Sequence, residues 1–282
     1  MNKLDTIIVL DSSADMAAEK TLLRTIVPLK IITADKEYVD NTGLDVGEMI
    51  SDLRAYSGKS STSCPNPQEF LAAFGEAKHV FCITITGSLS GSHNAALAAA
   101  HQYTEKYPER RVCVFDSLST GPELLIIADI IENAALEGKS FNEVSAILDG
   151  FKGHKKTGLI FMLESLQNLA NNGRVSPIAA KAASVLGIRI VGKASDEGTL
   201  EQLEKCLGGK KALKAILTHM KNEGYAGGEV RIAHCNNESS ANSLAKLICG
   251  EFSEAKTKIH PCGGLCSFYA EEGGLLVGFC KG

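Results

Sequence analysis

The 282-residue chain is 44% hydrophobic, enough apolar material for a sizeable core, and its length favours two domains over one. A net charge of −4, with lysines and arginines scattered along the chain, leaves no basic stripe for nucleic acid. There is no apolar run of the roughly eighteen residues that a membrane helix needs. Nine cysteines, an odd number set mostly inside apolar runs, argue for reduced thiols and a cytoplasmic location.

Met1 to Leu10 reads as a short strand, built on Thr6-Ile-Ile-Val-Leu10, and lacks the pattern of a targeting leader. A helix is predicted over Asp45 to Tyr56, a strand over Val80 to Thr86, a helix over Asn94 to Tyr107, a strand over Val112 to Phe115 and a helix over Glu123 to Leu136. This alternation predicts an α/β fold whose N-terminal domain is a parallel sheet with helices on both faces, where ligands gather at the carboxyl ends of the strands. A modest amphipathic helix over Phe141 to Phe151 ends that pattern and places a boundary near residue 155, giving domains 1–155 and 156–282. Beyond it come a strand (Gly158 to Leu163), a helix running into Asn-Asn-Gly-Arg-Val-Ser and a hairpin across Gly187 to Leu200. A helix (Lys210 to Asn222), a strand (Glu229 to Cys235), a helix (Ser240 to Glu251) and two terminal strands follow, predicting a C-terminal mixed sheet with helices on one side.

Three strand-end turns are rich in hydroxyls. After Val80 to Thr86 comes Gly87-Ser-Leu-Ser-Gly-Ser-His-Asn-Ala95 and then an alanine-rich helix. Free amides and the positive end of the helix dipole suit an anion there, with Ser90 or Ser92 as an added donor; equally, Ser90 serves as a simple helix cap. Ser61-Thr-Ser-Cys-Pro-Asn-Pro-Gln-Glu-Phe70 leads into a proline-started helix that Glu69 helps to cap, and Asp116-Ser-Leu-Ser-Thr-Gly121 again follows a strand. Together the three would line one sheet edge and surround one small anion. No Walker loop is present, and Leu89 occupies the centre of Gly87-Ser-Leu-Ser-Gly91, so there is no nucleophile elbow. A serine with no assigned base is a donor, not a nucleophile, and neutral hydroxyls with amides suit a single carboxylate.

Other signals read as structural. His260-Pro-Cys-Gly-Gly-Leu-Cys266 and His234-Cys235 lack the paired Cys-x2-Cys spacing of a zinc site, so no metal is expected. Asp11 and Asp116, at strand ends, are candidate catalytic carboxylates, yet a strand-end aspartate is as often a turn or cap former.

Seven segments in register resemble the DegV family of bacterial fatty-acid-binding proteins along nearly the whole chain. They are Asp11-Ser-Ser-Ala-Asp15, Val27-Pro-Leu29, Tyr38-Val-Asp40, Thr62-Ser-Cys-Pro-Asn-Pro67, Leu89-Ser-Gly-Ser92, Asp116-Ser-Leu-Ser-Thr-Gly121 and Gly173-Arg-Val-Ser176. The resemblance implies a long-chain fatty acid held between two domains, its tail in an apolar tunnel to which residues 156–282 contribute and its carboxylate at the strand ends of residues 1–155. It implies no catalytic residue and no cofactor. Instead it implies a separate ATP-binding fatty acid kinase subunit that phosphorylates the bound acid, and peripheral membrane contact for ligand exchange. Thr62, with Ser63 beside it, and Ser90 with the Gly91 amide and Ser92 match the family's head-group motif; Arg174 matches an arginine near the head-group mouth or the partner surface. The chain departs from the family at Tyr269, which stands where a histidine is usual, and Glu271-Glu-Gly-Gly274 replaces Gly-Pro-Gly. Tyr269 retains a hydroxyl donor but not an ionisable imidazole. The alternative from a different class is an enzyme acting on a small polar anion at the strand-end pocket.

Overall fold

The computed structural model describes residues 5–15, 23–178, 181 and 187–282, so Met1 to Leu4 of the predicted first strand lie outside the described residues. Strands β1 (Thr6–Asp11), β2 (Arg24–Val27), β6 (His79–Thr84) and β7 (Arg111–Asp116) form a four-stranded sheet in the order β2-β1-β6-β7. Every pairing in it is parallel. Successive side chains of a strand point to opposite faces, and both faces here are apolar, which is why β1 and β6 read as continuous hydrophobic runs. Val9, Val80 and Cys82 pack under α2 (Pro67–Phe74) and α3 (Ser92–Lys106). Ile8, Leu10, Phe81 and Ile83 pack under α4 (Pro122–Leu136) and α5 (Phe141–Asp149). The start of α2 is held by the predicted cap, with Glu69 N–H donating to Asn66 Oδ1 at 3.0 Å and Asn66 N–H donating to Glu69 Oε2 at 2.7 Å.

The second sheet has six strands in the order β10-β9-β8-β13-β11-β12 and is mixed, with β11 and β12 parallel and the other pairs antiparallel. The strands are β8 (Thr157–Leu163), β9 (Ile188–Ala194), β10 (Leu200–Leu207), β11 (Glu229–His234), β12 (Lys256–Pro261) and β13 (Leu275–Cys280). Strand β8 divides its side chains between two environments. Ile160 and Met162 enter the core beneath α7 (Gly209–Asn222) and α8 (Glu238–Glu251), whereas Leu159, Phe161 and Leu163 face the opposite side.

On that opposite side lies α4, which packs against β8, β11 and β13. Its Leu124-Leu125-Ile126-Ile127-Ala128 run is buried all round, as expected of a helix wedged between two layers. At Gly278 the approach is so close that a Cβ would sit 2.6 Å from the Glu123 amide nitrogen. Arg24 of β2 pairs with Asp129 and Glu132 of α4, each at 2.7 Å, and Arg231 of β11 also pairs with Asp129. The same helix face is thereby tied to both sheets.

Two features differ from the sequence reading. A small antiparallel sheet, β4-β3-β5, is formed by β3 (Lys30–Ile32), β4 (Glu37–Val39) and β5 (Ser61–Ser63), beside α1 (Val46–Ala55). Three-residue strands are too short to display an alternating pattern, so Thr62, read as part of a hydroxyl-rich turn, in fact pairs with Ile31 in a ladder. A short helix, α9 (Gly264–Ala270), separates the last two strands, while α6 (Gln167–Asn171) follows β8 as the sequence predicts. Among the described residues no helix is long and apolar enough to cross a membrane.

Candidate functional site

The carboxyl ends of β1, β6 and β7 are organised by two acids. Asp11 Oδ1 and Oδ2 accept the Ser13 and Ser92 hydroxyls, each at 2.5 Å, and the Ile85 amide donates to Oδ2 at 2.9 Å. Burial pushes the Asp11 carboxyl above its ordinary range, against the downward pull of these hydrogen bonds. Asp116 accepts the Gly87 amide at 3.1 Å and the Leu118 amide at 3.0 Å, and Thr86 N–H donates to Ser119 O at 2.9 Å. Both acids are turn formers that lock the two strand-end turns side by side.

These turns form one wall of an apolar slot of about 720 Å³, its open mouth included. Ile85, Thr86, Leu89 and Leu118 to Thr120 come from the turns; Leu159, Phe161, Leu163 and Leu276 form the opposing wall on the second sheet. Leu169 of α6 and Leu265, Cys266, Tyr269 and Ala270 of α9 close one side, and Ala194, Gly198, Thr199 and Leu200 of the β9–β10 hairpin close another.

Polar groups gather at one end. Thr62 Oγ1 and Tyr269 Oη share a hydrogen bond of 2.6 Å, and the Arg174 guanidinium lies 5.4 Å from the centre of the Tyr269 ring. Arg174 is positioned by the end of α6, where Gly173 adopts φ +73 and the Arg174 amide returns to Leu169 O at 2.8 Å. Its Nη1 donates to Asn172 O at 2.7 Å and its Nε to Leu89 O at 3.3 Å. Among the described residues no carboxylate pairs with it, and its guanidinium stands at the slot bonded to these two carbonyl oxygens. Tyr269 is held by the placement of α9. Asp40 accepts the Gly264 amide at 2.7 Å and the Leu265 amide at 3.0 Å, while Asp15 Oδ1 accepts the Gly263 amide at 2.9 Å. Burial raises the Tyr269 hydroxyl above its ordinary value, outweighing the Thr62 bond and the Arg174 charge, so it remains a neutral donor.

The predicted head-group residues separate into three groups. Tyr269 and Arg174 line the slot, and Thr62 reaches it through its bond to Tyr269. Ser90 and Gly91 lie in the turn beside Leu89, at the start of α3, which has no side-chain cap at Gly91; Ser90 Oγ accepts the Ser92 amide at 3.2 Å. That turn packs on β5 so closely that a Cβ on Gly91 would lie 2.9 Å from Cys64 Sγ. Ser63 and Ser92 are not brought to the slot. Ser63 donates to Cys64 O at 3.3 Å, and the hydroxyl of the fully buried Ser92 donates to Asp11 Oδ2. The apolar walls were not singled out as site residues in the sequence; their one signal was the unbroken hydrophobic run of β8, which requires burial on both faces. Among the described residues no three His, Cys, Asp or Glu side chains are grouped as metal ligands would be.

A family model described as "Uncharacterised protein, DegV family" matches residues 5–281. The chain belongs to the DegV family. A DegV domain-containing protein of Streptococcus pneumoniae is 43% identical over 253 residues, covering 90% of this chain and 89% of that protein. Among solved DegV relatives, the S. pneumoniae Fatty Acid Kinase B3 protein loaded with linoleic acid is 41% identical, with a TM-score of 0.94 over 98% of this chain and 99% of that one. A DegV family protein from Eubacterium eligens loaded with heptadecanoic acid is 39% identical, with a TM-score of 0.94 over 98% of this chain and 100% of that one.

Proposed function

We propose that this DegV-family protein binds one long-chain fatty acid in the slot and presents its carboxylate to a separate ATP-binding fatty acid kinase subunit. Residues 1–155 supply the strand-end wall and Thr62, and residues 156–282 supply the β8 wall, Arg174 and Tyr269. The observation that carries the reading is the pairing of an apolar slot with a polar end at which the Thr62–Tyr269 hydroxyls meet the Arg174 guanidinium. An alkyl tail along Leu159, Phe161 and Leu163 is driven by water exclusion. For a sixteen-carbon acid, burying about fourteen methylenes at ~0.8 kcal/mol each gives about 11 kcal/mol before ordering costs. Hydrogen bonds to the carboxylate add about 1.5 to 3 kcal/mol each and fix where its oxygens sit, as a phosphoryl acceptor needs. The relatives crystallised with linoleic and heptadecanoic acids support the same ligand class. No cofactor is needed for binding, the phosphoryl transfer lies with the partner, and the protein acts in the cytoplasm, with contact at the membrane surface for exchange of the acid. An enzyme for a small polar anion would need a polar enclosure, and the β8 wall of this slot is leucine and phenylalanine.

Organic extraction of the purified protein followed by mass spectrometry should yield about one long-chain fatty acid per chain. A lipid-free protein that also fails to take up added fatty acid would refute the reading. With a kinase subunit and ATP, alanine at both Thr62 and Ser90 should lower acyl-phosphate formation; unchanged formation would remove those two from the head-group role.

A further inference from the structure

Leu118 lines the slot from an uncommon backbone. Its φ is +55, in the left-handed region that glycine or asparagine normally occupies and leucine avoids. The turn holds it there: its amide donates to Asp116 Oδ1 at 3.0 Å, the Ser117 hydroxyl donates to Ser119 O at 3.1 Å, and Ser119 O also accepts the Thr86 amide at 2.9 Å. Strained backbone of this kind persists only where the surroundings over-determine it, and it concentrates at functional sites. Its side chain is half-buried and meets the tip of the β9–β10 hairpin, where a Cβ on Gly198 would lie 3.2 Å from Leu118 Cδ2. The tip is fastened to the first sheet by two hydroxyls, with Thr86 Oγ1 donating to Gly198 O at 2.8 Å and Ser88 Oγ donating to Glu197 O at 2.6 Å.

The strand register locates this contact. Leu163 pairs with Ile190 at the end of β8 nearest Leu169 and Arg174, whereas Ile160 pairs with Lys193, next to Ala194 and the hairpin tip. From Leu163 to Leu159 the strand advances about 13 Å at ~3.3 Å per residue, which places the hairpin tip and Leu118 at the Leu159 end of β8.

We infer that Leu118, buttressed by the Gly198 tip, closes the tail end of the slot and sets the length of acyl chain it accepts. The inference rests on the fatty-acid reading and goes beyond it by assigning chain-length selection to a residue outside the head-group motif. Shortening Leu118 opens room for additional carbons, and each further buried methylene is worth about fourfold in affinity.

The test loads the full-length protein with an equimolar mixture of saturated fatty acids of twelve to twenty carbons, extracts the bound fraction and measures its length distribution. Leu118→Ala and Leu118→Gly should raise the ratio of longer to shorter acids by about fourfold or more for each added methylene accommodated, and Leu118→Phe should lower it. Leu118→Gly also relieves the left-handed backbone, so its profile is read in a turn at least as easily folded. Total occupancy near that of the unsubstituted protein, with an unchanged length profile in all three variants, would overturn the assignment while leaving the fatty-acid reading intact. An unsubstituted protein that takes up none of the mixture would overturn both.

Discussion

Replacing Tyr269 by phenylalanine removes a single oxygen from the polar end of the slot while keeping the ring that packs beside Arg174. The Tyr269 hydroxyl lies 2.6 Å from Thr62 Oγ1, and as a neutral donor it can bond one carboxylate oxygen of a bound acid. Losing one charge-assisted bond costs about 1.5 to 3 kcal/mol, which is roughly a tenfold to a hundredfold rise in Kd. The tail contributes about 11 kcal/mol of gross driving force, so the variant should still bind. Thr62 is half-buried and can be rehydrated, so the stability lost should stay within about 1 kcal/mol. Displacement of a fluorescent fatty acid gives the Kd, denaturant unfolding gives the stability, and Thr62→Val with the double variant gives the coupling between the two hydroxyls. A Kd within twofold of the unsubstituted protein would show that the hydroxyl does not touch the acid. Complete loss of binding in a folded variant would show that the tail does not dominate affinity.

Three further outcomes are expected. Tyr269→His should make fatty-acid affinity rise as pH falls through about 6.5, as the imidazole gains charge, while the unsubstituted protein stays flat from about pH 6 to 8; equal profiles in titrations of the two proteins would count against Tyr269 facing the carboxylate. Burial raises Asp15 from 3.8 to about 8, so the folded state retains a proton that the unfolded chain releases. Its contribution is full below pH 3.8 and is lost as pH rises to about 8; Asp15→Asn should therefore flatten the decline in melting temperature over that window and exceed the unsubstituted protein at its upper end, and parallel curves would refute this. Gly198→Val would place a Cβ 2.2 Å from Thr86 Oγ1 at a φ of +74, so denaturant unfolding should report a loss of at least about 2 kcal/mol; a loss below about 1 kcal/mol would mean the hairpin tip moves freely.

Apart from the short strands between residues 24 and 63 and helix α9, the strand and helix order was legible in the chain because apolar periodicity is a local property. The runs around β1, β6 and β8, the Asn66–Glu69 cap and the glycine-serine turns after β6 and β7 all appear where their residues predict. The roles of individual hydroxyls were not. Ser90 and Ser92 are two residues apart in one turn, yet Ser92 is consumed by Asp11, 81 positions away, and Thr62 is aimed by a tyrosine 207 positions away.

What the sequence by itself determined is the set of elements and the stretch of chain that bears the polar groups, since those follow from patterns a few residues long. Only the tertiary structure decided which face of β8 became a slot wall, which serine donates its hydroxyl to a buried acid, and that Leu118 meets the β9–β10 hairpin tip. Each of these depends on long-range packing: a hydroxyl or an apolar side chain acquires its role from the partner that reaches it first, and that partner comes from a different part of the chain.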